Sequence, residues 1–328
     1  MGERTMTVKK EEDVRLEFVF NSETGSLEER MIIQNPQNFE VLSKEEKQRR
    51  MNYAKREFER KSDKRGPFVM GKNASICQLE QTEITVSDRR YFMELVIYAG
   101  FDGEPLKKDN EYLTNKTIAV LWGINEFNTS RRLNKFVKLN LLHKEKYGNY
   151  NVYVLNQLYF SKGALRTNQK FVKLFQHKLK EVADEIRKIE DMKNRKRKVP
   201  IKLGDVLGLL HAMLPYFHYE TYYLVKNPDE KITEESETVL DALERCPKAL
   251  KHLPKTQIGR ILGHKNPDRP TIDKYFHILQ KAGAVMVLTT KGRSRYLIHP
   301  DLMFRLDSNG QDEYTRHVRA QFGQHDSH

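Results

Sequence analysis

Apolar and polar positions follow one pattern from Leu113 to Gly163, and a closely similar pattern returns from Leu253 to Phe304. Leu113, Ile118, Leu121, Trp122 and Gly123 stand 140 positions before Leu253, Ile258, Ile261, Leu262 and Gly263, in the phrases LTNKTIAVLWG and LPKTQIGRILG. After a turn that is three residues longer in the second copy, Leu133, Phe136, Asn140 and Leu142 match Phe276, Leu279, Gly283 and Val285 at an offset of 143. Gly148, Leu158 and Phe160 then match Gly292, Leu302 and Phe304 at 144. Offsets that drift only by small insertions point to one duplicated module.

The periodicity predicts the elements of each copy. A short helix from roughly Asn115 to Trp122 ends at Gly123, a residue suited to a left-handed cap. A second helix, Thr129 to Leu139, presents Leu133, Phe136 and Val137 on one face and Ser130, Arg131, Asn134, Lys135 and Lys138 mostly on the other. Two β-prone runs, Leu142 to Tyr147 and Tyr150 to Leu155, flank Gly148-Asn149, which supply the positive φ of a hairpin turn. Helix, turn, helix, hairpin is the winged-helix plan. The second copy repeats it with Lys255 to Leu262, Pro270 to Lys281, and a hairpin of Val285 to Thr290 and Ser294 to Ile298 around Lys291-Gly292-Arg293.

Outside the copies the pattern changes. Residues 1–42 show no sustained period apart from the strand-like run Leu16 to Phe20, and weak order is expected there. Ser43 to Arg65 carries 10 basic and 5 acidic residues, with Ser43 and Glu46 at capping-box spacing, and reads as a charged helical arm before the break at Gly66-Pro67. Ala164 to Lys198 reads as one long helix, in which Val172, Phe175, Leu179, Val182, Ile186 and Ile189 form a heptad seam. A second copy of the protein or the chain's own winged helices would cover that seam. The polar segment 226–250 has no counterpart in the first copy, and the tail beyond Asp307 reads as frayed. The expected organisation is an arm (1–66), a first winged helix (67–163), a linking helix (164–199), a second winged helix (200–307) and a tail (308–328). The fold class is mainly α with small β-wings.

Charge directs attention to a polyanion. The chain has 58 Lys and Arg against 45 Asp and Glu, a net charge of +13. Cys77 and Cys246 are too few for a zinc site or disulfide framework, no apolar run has the character of a signal peptide or a membrane span, and a reducing bacterial cytoplasm is the expected location.

The phrases LTNKTIAVLWG and GNYNVYVLNQLYFSKG, the basic helix between them and the repetition of the pattern resemble the winged-helix replication proteins of Gram-positive plasmids and phages, the RepL-like group. The tandem arrangement is similar to plasmid initiators with two winged helices, over roughly residues 87–306. The resemblance implies a replication initiator that binds origin repeats and meets host replication proteins. A transcriptional repressor of a phage or plasmid shares the plan and is the alternative.

The geometry of such a module assigns the chemistry. A helix about 10 Å across enters a major groove about 12 Å wide, where base edges carry a readable code. In the first copy Arg131, Arg132, Asn134 and Lys135 are placed to read bases, with Ser130 beside them on the DNA-binding face and Lys138, Lys144 and Lys146 mainly on phosphates. Arg132 lies nearest the buried face. In the second, Thr271, Asp273, Lys274 and His277 face outward, Arg269 stands at the helix entrance, and the wing carries Lys291, Arg293 and Arg295. No cofactor, metal or catalytic residue is expected. The phrase LGHKNPDRPTIDKYFHI offers His264 and Tyr275 for a tyrosine-recombinase reading, but residues 225–250 contain no histidine for the HxxR pair that chemistry needs, and no HxH or phosphate-binding glycine loop occurs.

Overall fold

A computed structural model of the chain describes residues 4–6, 14–21, 26–33, 41–51, 53, 63–163, 170–262, 269–290, 293–305 and 309–325. They belong to two units, Met1–Asp63 and Lys64–His328, and the fold is mixed α+β with small sheets. The first unit contains β1 (Arg4–Met6), β2 (Val14–Asn21), β3 (Ser26–Ile33), β4 (Val41–Ser43) and the helix α1 over residues 44–51. Strands β1 and β4 pair, and β2 and β3 form an antiparallel hairpin with Val14 opposite Ile33, Leu16 opposite Met31 and Glu17 opposite Arg30. Weak order was the expectation here. The alternation of Val14, Leu16 and Phe18 with Arg15 and Glu17, continued by Val19 and Phe20, is a strand period, and β3 pairs with it across the ladder. Ser43 caps α1, its Oγ accepting from the Glu46 N–H at 3.0 Å.

The second unit holds both copies. The first runs through β5 (Phe68–Lys72), α2 (Asn73–Gln78), α3 (Val86–Val96), β6 (Lys107–Lys108), β7 (Glu111–Tyr112), α4 (Asn115–Trp122), α5 (Glu126–Lys138), β8 (Leu142–Tyr147), β9 (Tyr150–Leu155) and β10 (Phe160–Ser161). The second runs through β11 (Phe171–Phe175), α6 (Gln176–Asn194), α7 (Asp205–Met213), α8 (Val239–Arg245), α9 (Lys255–Ile261), α10 (Arg269–Lys281), β12 (Val285–Thr290), β13 (Arg293–Ile298), β14 (Met303–Phe304) and α11 (Glu313–His325).

Backbone hydrogen bonds repeat from copy to copy. Leu106 N–H donates to the Tyr153 carbonyl at 2.8 Å and Leu224 N–H to Tyr296 at 3.0 Å; Leu141 N–H donates to Phe136 at 2.8 Å and Ala284 N–H to Leu279 at 2.9 Å. Asn156 N–H donates to Leu141 and His299 N–H to Ala284, each at 3.0 Å. The hairpins close on Tyr147 opposite Tyr150 and Thr290 opposite Arg293, so the offset stays at 143 beyond the wing. The step to 144 at Gly292, Leu302 and Phe304 is thereby corrected: Leu158, Tyr159 and Phe160 correspond to Asp301, Leu302 and Met303. Asn156 Oδ1 accepts from Leu158 N–H at 2.9 Å, as His299 Nδ1 accepts from Asp301 N–H at 3.0 Å.

The copies meet across a shared sheet, β10-β5-β11-β14, antiparallel throughout. Asn73 N–H donates to the Lys170 carbonyl at 3.1 Å and Gln176 N–H to the Pro67 carbonyl at 2.9 Å, the reciprocal bonding that a twofold relation produces. The opening helices α3 and α7 pack on one another beside this sheet. A Cβ on Gly208 would collide with the Val86 carbonyl oxygen, so glycine permits the close approach there.

Two expectations are corrected here, and a third is decided between its two alternatives. The linking segment starts as β11, with the helix beginning at Gln176; residues 164–169 lie outside those described. Val172, Phe175, Leu179, Val182, Ile186 and Ile189 are all at most 5% exposed, packed in the chain's own core, so the seam leaves no face for a second copy. The tail forms α11, because Tyr314, Val318 and Phe322 recur every four residues and bury one stripe. Tyr314 stacks on Tyr222 with ring centres 5.8 Å apart, and Arg319 pairs with Asp301. Segment 226–250 carries α8, and its Ile232, Ala242 and Leu250 form a small separate core with Val225.

Candidate nucleic-acid interface

Local sequence sets the angle between α4 and α5. Thr114 caps α4 in a reciprocal box with Thr117, Gly123 ends it at φ 62°, and Asn125 caps α5 by accepting from the Asn128 N–H at 2.8 Å. Helix α5 buries Thr129, Leu133 and Phe136. Arg131, Asn134 and Lys138 are exposed, and Ser130 is half-buried. On β8, Lys144 and Lys146 are exposed and share one face of the hairpin.

Arg132 and Lys135 are held differently from the outward placement expected. Arg132 Nη1 lies 2.6 Å from Asp88 Oδ1 and Lys135 Nζ lies 2.7 Å from Asp88 Oδ2. The Arg132 guanidinium also sits over the Tyr91 ring, 4.2 Å from its centre. Burial alone would raise the Asp88 carboxyl, but the hydrogen bonds from Lys135 and Thr85 outweigh it and hold it below the usual carboxylate range. Two cations of the basic helix therefore clamp α5 to the start of α3, where Asp88 also completes the Thr85 capping box.

In the second copy Lys274 and His277 are exposed and Thr271 is half-buried. Asp273 is exposed as well, but pairs with Lys255 of α9. Arg269 begins α10, with its side chain outside those described. Arg293 and Arg295 are exposed along β13. Gly263, His264, Lys291 and Gly292 lie outside the described residues. At the 143 offset Arg131 corresponds to Lys274, Asn134 to His277 and Lys138 to Lys281, and all six are exposed. Lys281 is not among the DNA-binding positions expected from the sequence of the second copy, although its match to Lys138, at the offset carried by Phe136 and Leu279, is the signal that points to it.

Other polar groups are tied into the core. His211 is fully buried and accepts at Nδ1 from Arg89 at 3.0 Å; burial, reinforced by the Arg89 charge, pushes its pKa well down. His218 is buried beside half-buried Tyr219, its ring bonded to the Glu230 carbonyl and the Glu220 N–H. Tyr275 is half-buried, and burial raises its phenol further above neutrality. Among the described residues no His, Cys, Asp and Glu side chains gather as a metal-holding group, and no helix is long and apolar enough to cross a membrane. No protein-family model, curated protein or solved structure matches this chain.

Proposed function

We propose that residues 64–328 are two winged helices in tandem and that the chain is a non-enzymatic, sequence-specific binder of double-stranded DNA. The observation that carries this reading is the repeated outward triplet: Arg131, Asn134 and Lys138 on α5, and Lys274, His277 and Lys281 on α10. Each triplet is cationic and rich in donors, and each stands on the second helix of a helix–turn–helix followed by a hairpin, where a major groove would be entered. Lys144 and Lys146 on the first hairpin, and Arg293 and Arg295 on the second, extend each surface towards flanking phosphates. Arg132 and Lys135 serve this surface indirectly, by fixing α5 on Asp88.

The resemblance of the sequence carries the reading one step further, to a plasmid or phage replication initiator that binds repeated sites at an origin. The test is binding to fragments spanning the coding region and its flanks. An initiator selects directly repeated sites over random duplex, and those sites support autonomous replication with the protein supplied. Binding confined to a promoter, with replication independent of the protein, would favour a repressor instead, and equal affinity for every duplex would remove the claim of sequence selection.

A further inference from the structure

The two hairpins differ at the pair that closes each ladder, although their registers correspond. In the second, Thr290 faces Arg293; in the first, the closing pair is Tyr147 and Tyr150, 60% and 66% exposed. Tyr147 is braced from behind by Tyr112, ring centres 4.6 Å apart, and Lys107 lies 5.0 Å from the Tyr112 ring centre. The turn between the two tyrosines has open space at Gly148. Strand alternation sorts the hairpin by chemistry: Tyr147 and Tyr150 share a face with Glu145, while Lys144 and Lys146 occupy the other. On the strands themselves that face carries His143 and Glu145 but no lysine, and Lys107 beside Tyr112 is paired with Glu104 at 3.0 Å, so the face is poorly suited to phosphate, whereas two exposed rings suit the plane of a base. The lysines behind them supply the attraction for the adjoining backbone.

From this arrangement we infer that the tip of the first hairpin is a stacking platform for an unpaired base, so that the first copy binds DNA whose duplex is locally opened while the second holds paired DNA. The inference rests on the DNA-binding reading and adds to it a preference for opened duplex. Aromatic stacking tolerates any sequence, since every base offers a π-face, so the platform would act at whatever step the α5 helix selects.

The test uses the full chain and two probes: a short duplex of arbitrary sequence, and the same duplex with a small central bubble of mismatches. The wild-type chain binds the bubble about tenfold more tightly, the change expected of one good base–aromatic contact. In Y147A/Y150A the ratio of the two affinities falls to one, and in Y147F/Y150F it is retained, because the ring and not the hydroxyl stacks. Paired-duplex binding without a bubble preference in the wild type would overturn this inference and leave the DNA-binding reading standing. Failure to bind either probe would also overturn the platform, while the DNA-binding reading stands or falls separately on binding to the fragments spanning the coding region. A bubble preference that survives in Y147A/Y150A, or an alanine variant altered only in self-association, would also overturn the platform.

Discussion

Arg131 and Arg132 are neighbours in sequence with separate roles in the structure. Arg131 is exposed, whereas Arg132 is bound to Asp88 and covers Tyr91. Arg131→Ala is therefore expected to weaken binding to the selected site by about 1–3 kcal/mol and relax the preference at one base pair, measured by competition against a panel of single substitutions. Lys138→Ala should lower affinity for all sequences alike and reduce the slope of log K against log salt by about one. Asp88→Ala removes the capping acceptor and the partner of both Arg132 and Lys135, and should cost about 1–3 kcal/mol in denaturant unfolding. The outward positions of Arg131 and Asn134 were legible from helical periodicity. The capture of Arg132 and Lys135 was not, because Asp88 lies 44 and 47 residues away and only the fold brings it near.

At the scale of elements, the pairing of α3 with α7 depends on an absent side chain. Gly208 lies so close to the Val86 carbonyl that any Cβ would displace one helix. Gly208→Ala should destabilise the 64–328 unit by about 1–3 kcal/mol, read as a lower denaturation midpoint, while leaving the outward residues of α5 and α10 chemically intact. Helices and hairpins with strong local signals are legible from the sequence: Gly123 and Gly148 adopt positive φ at 62° and 57°, although Asn149, expected to share it, does not, and the 143 offset reflects equal spacing. The apolar seam from Val172 to Ile189 was legible too, but not its first two members as strand residues, since β11 exists only because β5 and β14 lie on either side. Helix α11 was missed for a different reason. Its stripe of Tyr314, Val318 and Phe322 is thin and surrounded by charge, and its burial depends on Tyr222, far back in the chain.

The whole 64–328 unit is built on reciprocity, with entry strands exchanging hydrogen bonds and opening helices packed face to face. It also holds histidines in the neutral form, His211, His218 and His299 buried and His252 half-buried. His211 and His218 are pushed down chiefly by burial, and His252 and His299 are each lowered to about 4, again chiefly by burial. Each binds a proton more readily unfolded, near pH 6.5, than folded. Their contribution is therefore complete above about pH 6.5 and is lost as pH falls towards the lower folded values. Thermal midpoints should decline from pH 7 to pH 5, and His211→Gln should flatten that decline; a midpoint unchanged over the interval would contradict the burial of these rings.

The central claim is that both copies address a duplex through corresponding helices. The most direct measurement is a nuclease footprint of the full chain on DNA spanning its coding region, repeated with Arg131→Ala and with Lys274→Ala. The account predicts two adjoining protected segments, of which Arg131→Ala weakens one and Lys274→Ala the other. Loss of the same segment in both variants, or no protection on any duplex, would contradict it.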